Sequence, residues 1–381
     1  MSVFVAGSLH YDVVVDAPRL PALDETLIGQ QVAYVFGGKG GNQAVAASRH
    51  GATTAFAGRV GDDAAGRFLA DGLTAAGVDI AQVQIGKGES SGMSVAIVDA
   101  AGSYGAVVVS AANRVINASA ITLPADTRIV MLQNEVPEAV NIAVAHTARA
   151  RGARVLLNAA PMRSMAQELL ALVDILVVNR VEAAELLGFD TASVERNALL
   201  HCVGYQSAER AGAFLPLEGE VVAQRPEGVR SGQRPHPRPS VGPSPSRGGK
   251  SAEPFWPHPT ANVAAGHGSD EMDPVSSVGI ARPHHFPALV VTLGGDGLLL
   301  LADGAVRAMP AFPATVVSTH GAGDAFCGAL AARLDAGDII EEALAYAQAA
   351  AALHVSTPVN QRSAITPDAV RALMGEGNRG R

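Results

Sequence analysis

Ile175-Leu176-Val177-Val178-Asn179-Arg180-Val181-Glu182 carries the fold class in one short stretch. Its first four residues are apolar at successive positions, not alternate ones, which is the pattern of a strand covered on both faces. Polar residues then break the run, and 181–187 has helical composition. Working outward, comparable short apolar runs recur at residues 3–6, 54–58, 129–133, 154–158 and 289–293, each read as a strand. Helical composition fills residues 42–50, 64–76 and 137–151 between them. Repeated strand–helix–strand order implies an α/β fold: a central, mostly parallel sheet with right-handed crossovers, flanked by helices.

Two stretches depart from that alternation. Residues 11–35 and 90–110 read as hairpin strands outside the main sheet. In the second, Met93-Ser94-Val95-Ala96-Ile97-Val98 and residues 105–109 flank a turn at 99–102. A small β lid over a substrate cleft accounts for both. A third departure runs from about residue 199 to 287. It holds Arg234-Pro235-His236-Pro237-Arg238-Pro239 and Pro243-Ser244-Pro245-Ser246-Arg247-Gly248-Gly249-Lys250, with little apolar periodicity. Such composition buries too little surface to offset chain entropy, so a disordered insertion is expected within one domain spanning residues 1–381. Its histidines lack regular spacing, and no metal site is expected there.

The 381 residues are 48% hydrophobic but only 4% aromatic, so the core is to be built from Ala, Val, Leu and Ile. Lys plus Arg number 28 against 36 Asp plus Glu, a net charge of −8, which argues against a nucleic-acid partner. An anionic ligand remains compatible, because backbone amides and a metal can hold phosphate. Cys202 and Cys327 are far apart in unlike contexts, so neither a disulfide framework nor a cysteine metal site is expected. No signal peptide follows Met1, and no uncharged run has membrane-spanning length. A soluble cytoplasmic protein is the expectation.

Four segments carry chemistry. The first is Ser318-Thr319-His320-Gly321-Ala322-Gly323-Asp324-Ala325-Phe326-Cys327-Gly328, a Gly-rich turn opening an Ala-rich helix. Free backbone amides and the positive end of the helix dipole favour an anion at Gly321, Ala322 and Gly323. Asp324, in the first turn, is placed to accept a proton from an attacking hydroxyl. Asp at such a position also caps helices, and on this segment alone the two readings stand side by side. The second is Gly37-Gly38-Lys39-Gly40-Gly41-Asn42-Gln43-Ala44, which matches neither a P-loop nor a dinucleotide fingerprint. Glycines there let backbone approach a polyol, with Lys39 and Asn42 as hydrogen-bonding side chains. The third is Asn179 and Glu182, three apart at a helix start after a strand end, a pair suited to holding Mg²⁺ through its waters beside ATP phosphates. The fourth is Thr292-Leu293-Gly294-Gly295-Asp296-Gly297, a strand ending in a turn that can admit a nucleotide.

Taken in order, these segments resemble the ribokinase branch of the phosphofructokinase-B family of carbohydrate kinases. The likeness also includes Gly7-Ser8, Asp12, Pro21, Glu25-Thr26, Gly58, Gly61-Asp62-Asp63, Glu135 and Asn158-Ala159-Ala160-Pro161. It covers the chain apart from the insertion and the last residues. The resemblance implies a ribokinase-like fold and ATP-dependent phosphorylation of a sugar's primary hydroxyl, with D-ribose at O5 as the leading acceptor. A nucleoside or another sugar is the alternative acceptor, and a catalytically impaired sugar-binding homologue the alternative role. By resemblance, Asp12, Gly38, Lys39, Asn42 and Glu135 contact the sugar, and Asn179 and Glu182 organise Mg²⁺ and phosphates. Thr292, Gly294 and Gly297 lie on the nucleotide side, Gly321, Ala322 and Gly323 form the anion hole, and Asp324 is the base. The lid strands often make a dimer in that family. Three departures stand out. Ser318 replaces an Asp that helps bind potassium, Pro358-Val359-Asn360-Gln361 replaces a segment whose Gly carbonyl joins the same ion, and His10 replaces an Asn that touches the sugar. Weak dependence on a monovalent cation (K⁺) is therefore expected.

Overall fold

The computed structural model describes residues 2–99, 104–187 and 288–377. The insertion expected at 199–287, most of the turn at 99–102, and Cys202 lie outside the described residues. Along the chain, strands β1 (Ser2–Ala6), β2 (His10–Ala17) and β3 (Gln31–Gly37) lead into helix α1 (Lys39–Arg49). Strand β4 (Thr54–Gly61), helix α2 (Ala64–Ala75) and strands β5 (Asp79–Gly86), β6 (Met93–Asp99) and β7 (Tyr104–Val109) follow. Then come β8 (Thr127–Gln133), α3 (Glu138–Ala150), β9 (Arg154–Asn158), α4 (Gln167–Leu172), β10 (Ile175–Asn179) and α5 (Arg180–Leu187). The last part holds β11 (Ala288–Thr292), β12 (Leu298–Ala302), β13 (Ala305–Met309), α6 (Ala322–Ala336), α7 (Ile340–Ser356) and α8 (Pro367–Gly377).

The main sheet has nine strands in the order β13-β12-β11-β10-β9-β8-β1-β4-β5. From β5 to β11 every pairing is parallel; β12 and β13 add an antiparallel hairpin at one edge. Successive apolar residues point to opposite faces, and each face has its own core. Val3, Val5, Ile175 and Val177 pack with buried residues of α1, α6 and α7, whereas Phe4, Leu176 and Val178 pack with those of α3 and α4. This two-sided burial is why the strand runs do not alternate in polarity. Helix α6 is buried on most of its circumference, from Asp324 to Asp335, as expected of a helix apolar all round.

Sequence reading misses β5, β12 and β13. Leu298-Leu299-Leu300-Leu301 is an apolar run too short to tell strand from helix by periodicity, and β13 is a half-exposed edge strand containing Arg307. The run read as 289–293 ends one residue earlier, because Leu293 leaves the strand and its amide donates to Gly297 O at 2.8 Å across a 3-10 turn.

The expected lid is a separate four-stranded sheet, ordered β3-β2-β6-β7. β2 pairs antiparallel with β3 and parallel with β6, and β6 pairs antiparallel with β7. Val32, Tyr34, Val107, Val108 and Val109 expose large apolar surface on it. Among the described residues no helix is long and apolar enough to cross a membrane.

Candidate active site

Helix α1 begins where backbone meets backbone. Gly38 is its N-cap at φ 89°, and a Cβ there would lie 2.8 Å from Leu9 Cα and from Ser8 O. Only glycine combines that positive φ with that approach. The Lys39 amide donates to Glu135 Oε2 at 2.8 Å, and the same oxygen accepts from Ser8 Oγ. His10 Nδ1 stands 3.8 Å from it, while His10 Nε2, buried, has no hydrogen-bond partner. Glu135, at the end of β8, is thus tied to the start of α1. Asp12 is buried on β2 of the lid sheet and accepts from Ser94 Oγ on β6; burial raises its pKa.

Asp324 sits in the first turn of α6 and is 8% exposed. It is not the helix cap. Gly321 is, in the left-handed region at φ 74°, with no side-chain cap bond. The two oxygens of Asp324 accept instead from α1: Asn42 Nδ2 at 3.3 Å and Gln43 Nε2 at 3.0 Å. Gln43 Oε1 accepts from Gln133 Nε2 at 2.9 Å, and Asn141 Nδ2 holds Gln133 O at 2.8 Å. Burial pushes the Asp324 carboxyl up to about 6, with Glu135 adding to the rise and Lys39 and Gln43 opposing it. At neutral pH it is an ionised base with a raised proton affinity, in reach of a polar ligand. Helices α1 and α6 come this close because Gly328 has no side chain: a Cβ there would meet Ala46 Cβ at 2.4 Å and Gln43 O at 2.6 Å.

Asn179 and Glu182 cap α5 reciprocally. The Asn179 amide donates to Glu182 Oε2 at 2.8 Å and the Glu182 amide to Asn179 Oδ1 at 2.9 Å, a capping box. Burial raises the Glu182 pKa, and the Lys39 charge opposes that rise. The Lys39 charge thus favours the ionised form of both Glu182 and Asp324.

Two cavities meet at the start of α6. One, of about 490 Å³, is lined by Thr292, Gly294, Gly295 and Gly297 on one side and by Phe312, Phe326, Ala351, Ala352 and Val355 on another. Ala322 and Gly323 form its end. The other, of about 310 Å³, contains Asn42, Gly321, Asp324, His320, His354 and Arg362. The α6 N-terminus thus contributes Ala322 and Gly323 to a glycine-edged pocket and Gly321 and Asp324 to the pocket that holds the carboxylate.

The model of the pfkB family carbohydrate kinases matches residues 1–206 and 270–367. The chain belongs to that family. It is accordingly an ATP-dependent carbohydrate kinase, and its fold is that of ribokinases. A ribokinase of Haemophilus influenzae is 25% identical over 94% of this chain and 94% of its own length. Among solved structures, Arabidopsis thaliana ribokinase complexed with ribose and ATP superposes with a TM-score of 0.70 at 24% identity, covering 98% of both chains. A Methanocaldococcus jannaschii nucleoside kinase of the same family superposes at 0.65 with 16% identity over 98% of both, so the fold by itself does not choose the acceptor.

Of the residues singled out in this kinase's sequence, Gly38, Lys39, Asn42, Glu135 and Asp324 come together at the α1–α6 junction. Thr292, Gly294, Gly297, Ala322 and Gly323 come together around the larger cavity. Asp12 lies on the lid side, and the Asn179–Glu182 box at the end of β10. Gln43, Gln133 and Ser8 are functional neighbours that sequence reasoning did not assign. The signal for Gln43 was faint: a lone amide within Gly40-Gly41-Asn42-Gln43-Ala44-Val45-Ala46-Ala47, on what is otherwise a small-residue packing face.

Proposed function

We propose that this kinase transfers the γ-phosphoryl group of ATP to the O5 hydroxyl of D-ribose, giving ribose 5-phosphate and ADP. The observation that carries the reading is the Asp324 carboxylate, buried beside an α6 N-terminus that no side chain caps, where the Ala322 amide meets only Thr319 O at 3.2 Å, and oriented by two amides of α1. Asp324 accepts the proton of the attacking hydroxyl as its oxygen bonds to the γ-phosphorus. The bond from that phosphorus to the bridging oxygen breaks, and ADP leaves with the electron pair. Gly321, Ala322 and Gly323 present amides to the equatorial oxygens, where charge builds in the transition state. Nucleotide enters the larger cavity, its base against Phe312, Ala351 and Ala352 and its phosphates running past Gly294 and Gly297 to the α6 N-terminus. Asp12, Gly38, Lys39, Asn42 and Glu135 hold the sugar hydroxyls, and the unpartnered Nε2 of His10 offers one more hydrogen bond.

The chain's own residues fit a magnesium ion that arrives with the nucleotide. Among the described residues no three His, Cys, Asp or Glu side chains cluster as a metal cage. Mg²⁺ bound through phosphates and waters needs only one or two protein carboxylates nearby, and Glu182 is the one at the strand end. When bound, the ion would neutralise phosphate charge; Asn179 and Glu182 fix each other, and Glu182 would supply the carboxylate that helps to hold it.

The relatives support ribose: the Haemophilus influenzae protein is a ribokinase, and the Arabidopsis thaliana structure holds ribose and ATP. The exposed valines of β7 and Tyr34 of β3 support a homodimer formed through the lid sheets. Work in the cytoplasm, where ATP is plentiful, fits this reading. The test is ADP release, followed by a coupled assay with Mg-ATP against pentoses, hexoses and nucleosides. Selective turnover of D-ribose supports the proposal; selective turnover of a nucleoside moves the acceptor. Absence of turnover from folded protein overturns it.

A further inference from the structure

The segment that leads into the anion-binding turn is held by a buried cation. Arg362 is 6% exposed, in a 3-10 turn (Val359–Ala364) that follows α7. Its Nη2 donates to Ser318 O at 2.8 Å, its Nη1 to His320 O at 2.7 Å and its Nε to Thr357 O at 3.2 Å. All three acceptors are main-chain carbonyls, and among the described residues Arg362 has no ion pair with a carboxylate. That is an unusual setting for a buried guanidinium, whose charge is normally matched by an acid.

The same segment is fixed from its other side. Val317 and Ser318 amides both donate to Val355 O, at 2.8 and 3.1 Å, and His354 Nε2 lies 2.9 Å from His320 O. Gly321, directly after His320, takes the left-handed conformation that opens α6. Arg362 therefore holds the carbonyls of Ser318 and His320, just before the anion-binding turn, and lines the same cavity as Gly321 and Asp324.

Converging carbonyl oxygens are also the donor set that strips water from an alkali cation. The resemblance drawn from sequence raised such a cation at Ser318, and the donors found there do not fit it. Ser318 and His320 carbonyls are already taken by the guanidinium, which brings the same single positive charge on a covalent tether. We propose that Arg362 is a built-in monovalent cation: a positioning residue that orders the 318–320 segment and Gly321, so that phosphoryl transfer runs without an added alkali ion. Its planar fork suits the task better than an ammonium, because three donors leave it in fixed directions.

This inference rests on the kinase reading, so its test includes a readout independent of turnover. The full chain and its Arg362→Ala and Arg362→Lys variants are prepared in tetramethylammonium buffer, and K⁺, Cs⁺ or guanidinium is added. Wild-type turnover is expected to change less than about twofold with any of them, whereas Arg362→Ala loses about tenfold or more in kcat with a smaller change in sugar KM. Part of that loss returns with K⁺, Cs⁺ or guanidinium but not with more tetramethylammonium, and Arg362→Lys falls between. In thermal melts without substrate, the same ions stabilise Arg362→Ala and not the wild type. Wild-type activation by K⁺ of about tenfold would overturn the proposal, whether or not the variants fold. So would a folded Arg362→Ala protein with wild-type kcat, or one whose melt and turnover no cation restores. Should Arg362→Ala fail to fold, Arg362→Lys decides: wild-type behaviour without added cation contradicts the need for the fork, and cation-assisted recovery supports it.

Discussion

Replacing Asp324 with Asn should remove activity and strengthen the fold, and the two effects have one cause. Burial moves the Asp324 carboxyl from 3.8 to about 6. The folded protein therefore holds a proton there that the unfolded chain releases over that range. A carboxyl raised on folding contributes its full stability below the unfolded value and loses it as pH climbs through the folded one. Above pH 6 the buried carboxylate costs about 3 kcal/mol, from a gap of roughly two pH units at about 1.4 kcal/mol each. Asn cannot ionise, so Asp324→Asn recovers that cost. Its amide can satisfy only one of the two donors, Asn42 Nδ2 or Gln43 Nε2, unless the Asn42 amide turns over, a penalty of about 1 kcal/mol. The net gain at pH 8 is about 2 kcal/mol, shrinking to nothing or less near pH 4. Urea unfolding of both proteins at the two pH values measures it, without substrates. In parallel, ADP release should fall about a hundredfold or more as the base is lost. A variant no more stable at pH 8 than at pH 4, relative to wild type, would refute the buried-carboxylate argument.

Three further outcomes follow from the same junction. In wild type, kcat/KM should decline as pH drops through about 6, where Asp324 takes up its proton; Gln43→Leu removes a donor that holds the carboxyl's pKa down, so this decline moves to higher pH and kcat falls about tenfold. Gly328→Ala puts a methyl against Ala46 Cβ and Gln43 O, and should cost about 1–3 kcal/mol in thermal or urea unfolding, with turnover reduced because Asn42 and Gln43 shift from Asp324.

How much of this was legible beforehand depended on whether the cause was local. The run Ile175–Val178 announces two-sided burial on its face, and it pairs in parallel with a strand on each side. The lid hairpin of β6 and β7 was equally visible in its apolar strands and intervening turn. Where a segment owes its form to an edge or to a distant partner, the residues say little. β13 exists because β12 offers it a ladder. Whether Asp324 caps a helix or faces a ligand could not be read from residues 318–328, since the answer lies in Gly321 and in amides 281 and 282 positions away. Glu135 likewise gained its place only by resemblance, because its partner Lys39 is 96 residues distant. Arg362 is the extreme case. Asn360-Gln361-Arg362-Ser363 reads as a solvated turn, yet the guanidinium is buried by carbonyls from a different part of the chain.

The central claim is that one buried carboxylate and one set of helix amides share the transferring phosphoryl group. A crystal structure of the chain with D-ribose and a non-hydrolysable ATP analogue tests it most directly. The account predicts ribose O5 within hydrogen-bond distance of Asp324, at about 2.6–3.2 Å, and the γ-phosphate on the Gly321, Ala322 and Gly323 amides. Ribose bound with O5 turned away from Asp324, or a nucleotide whose phosphates bypass the start of α6, would contradict it.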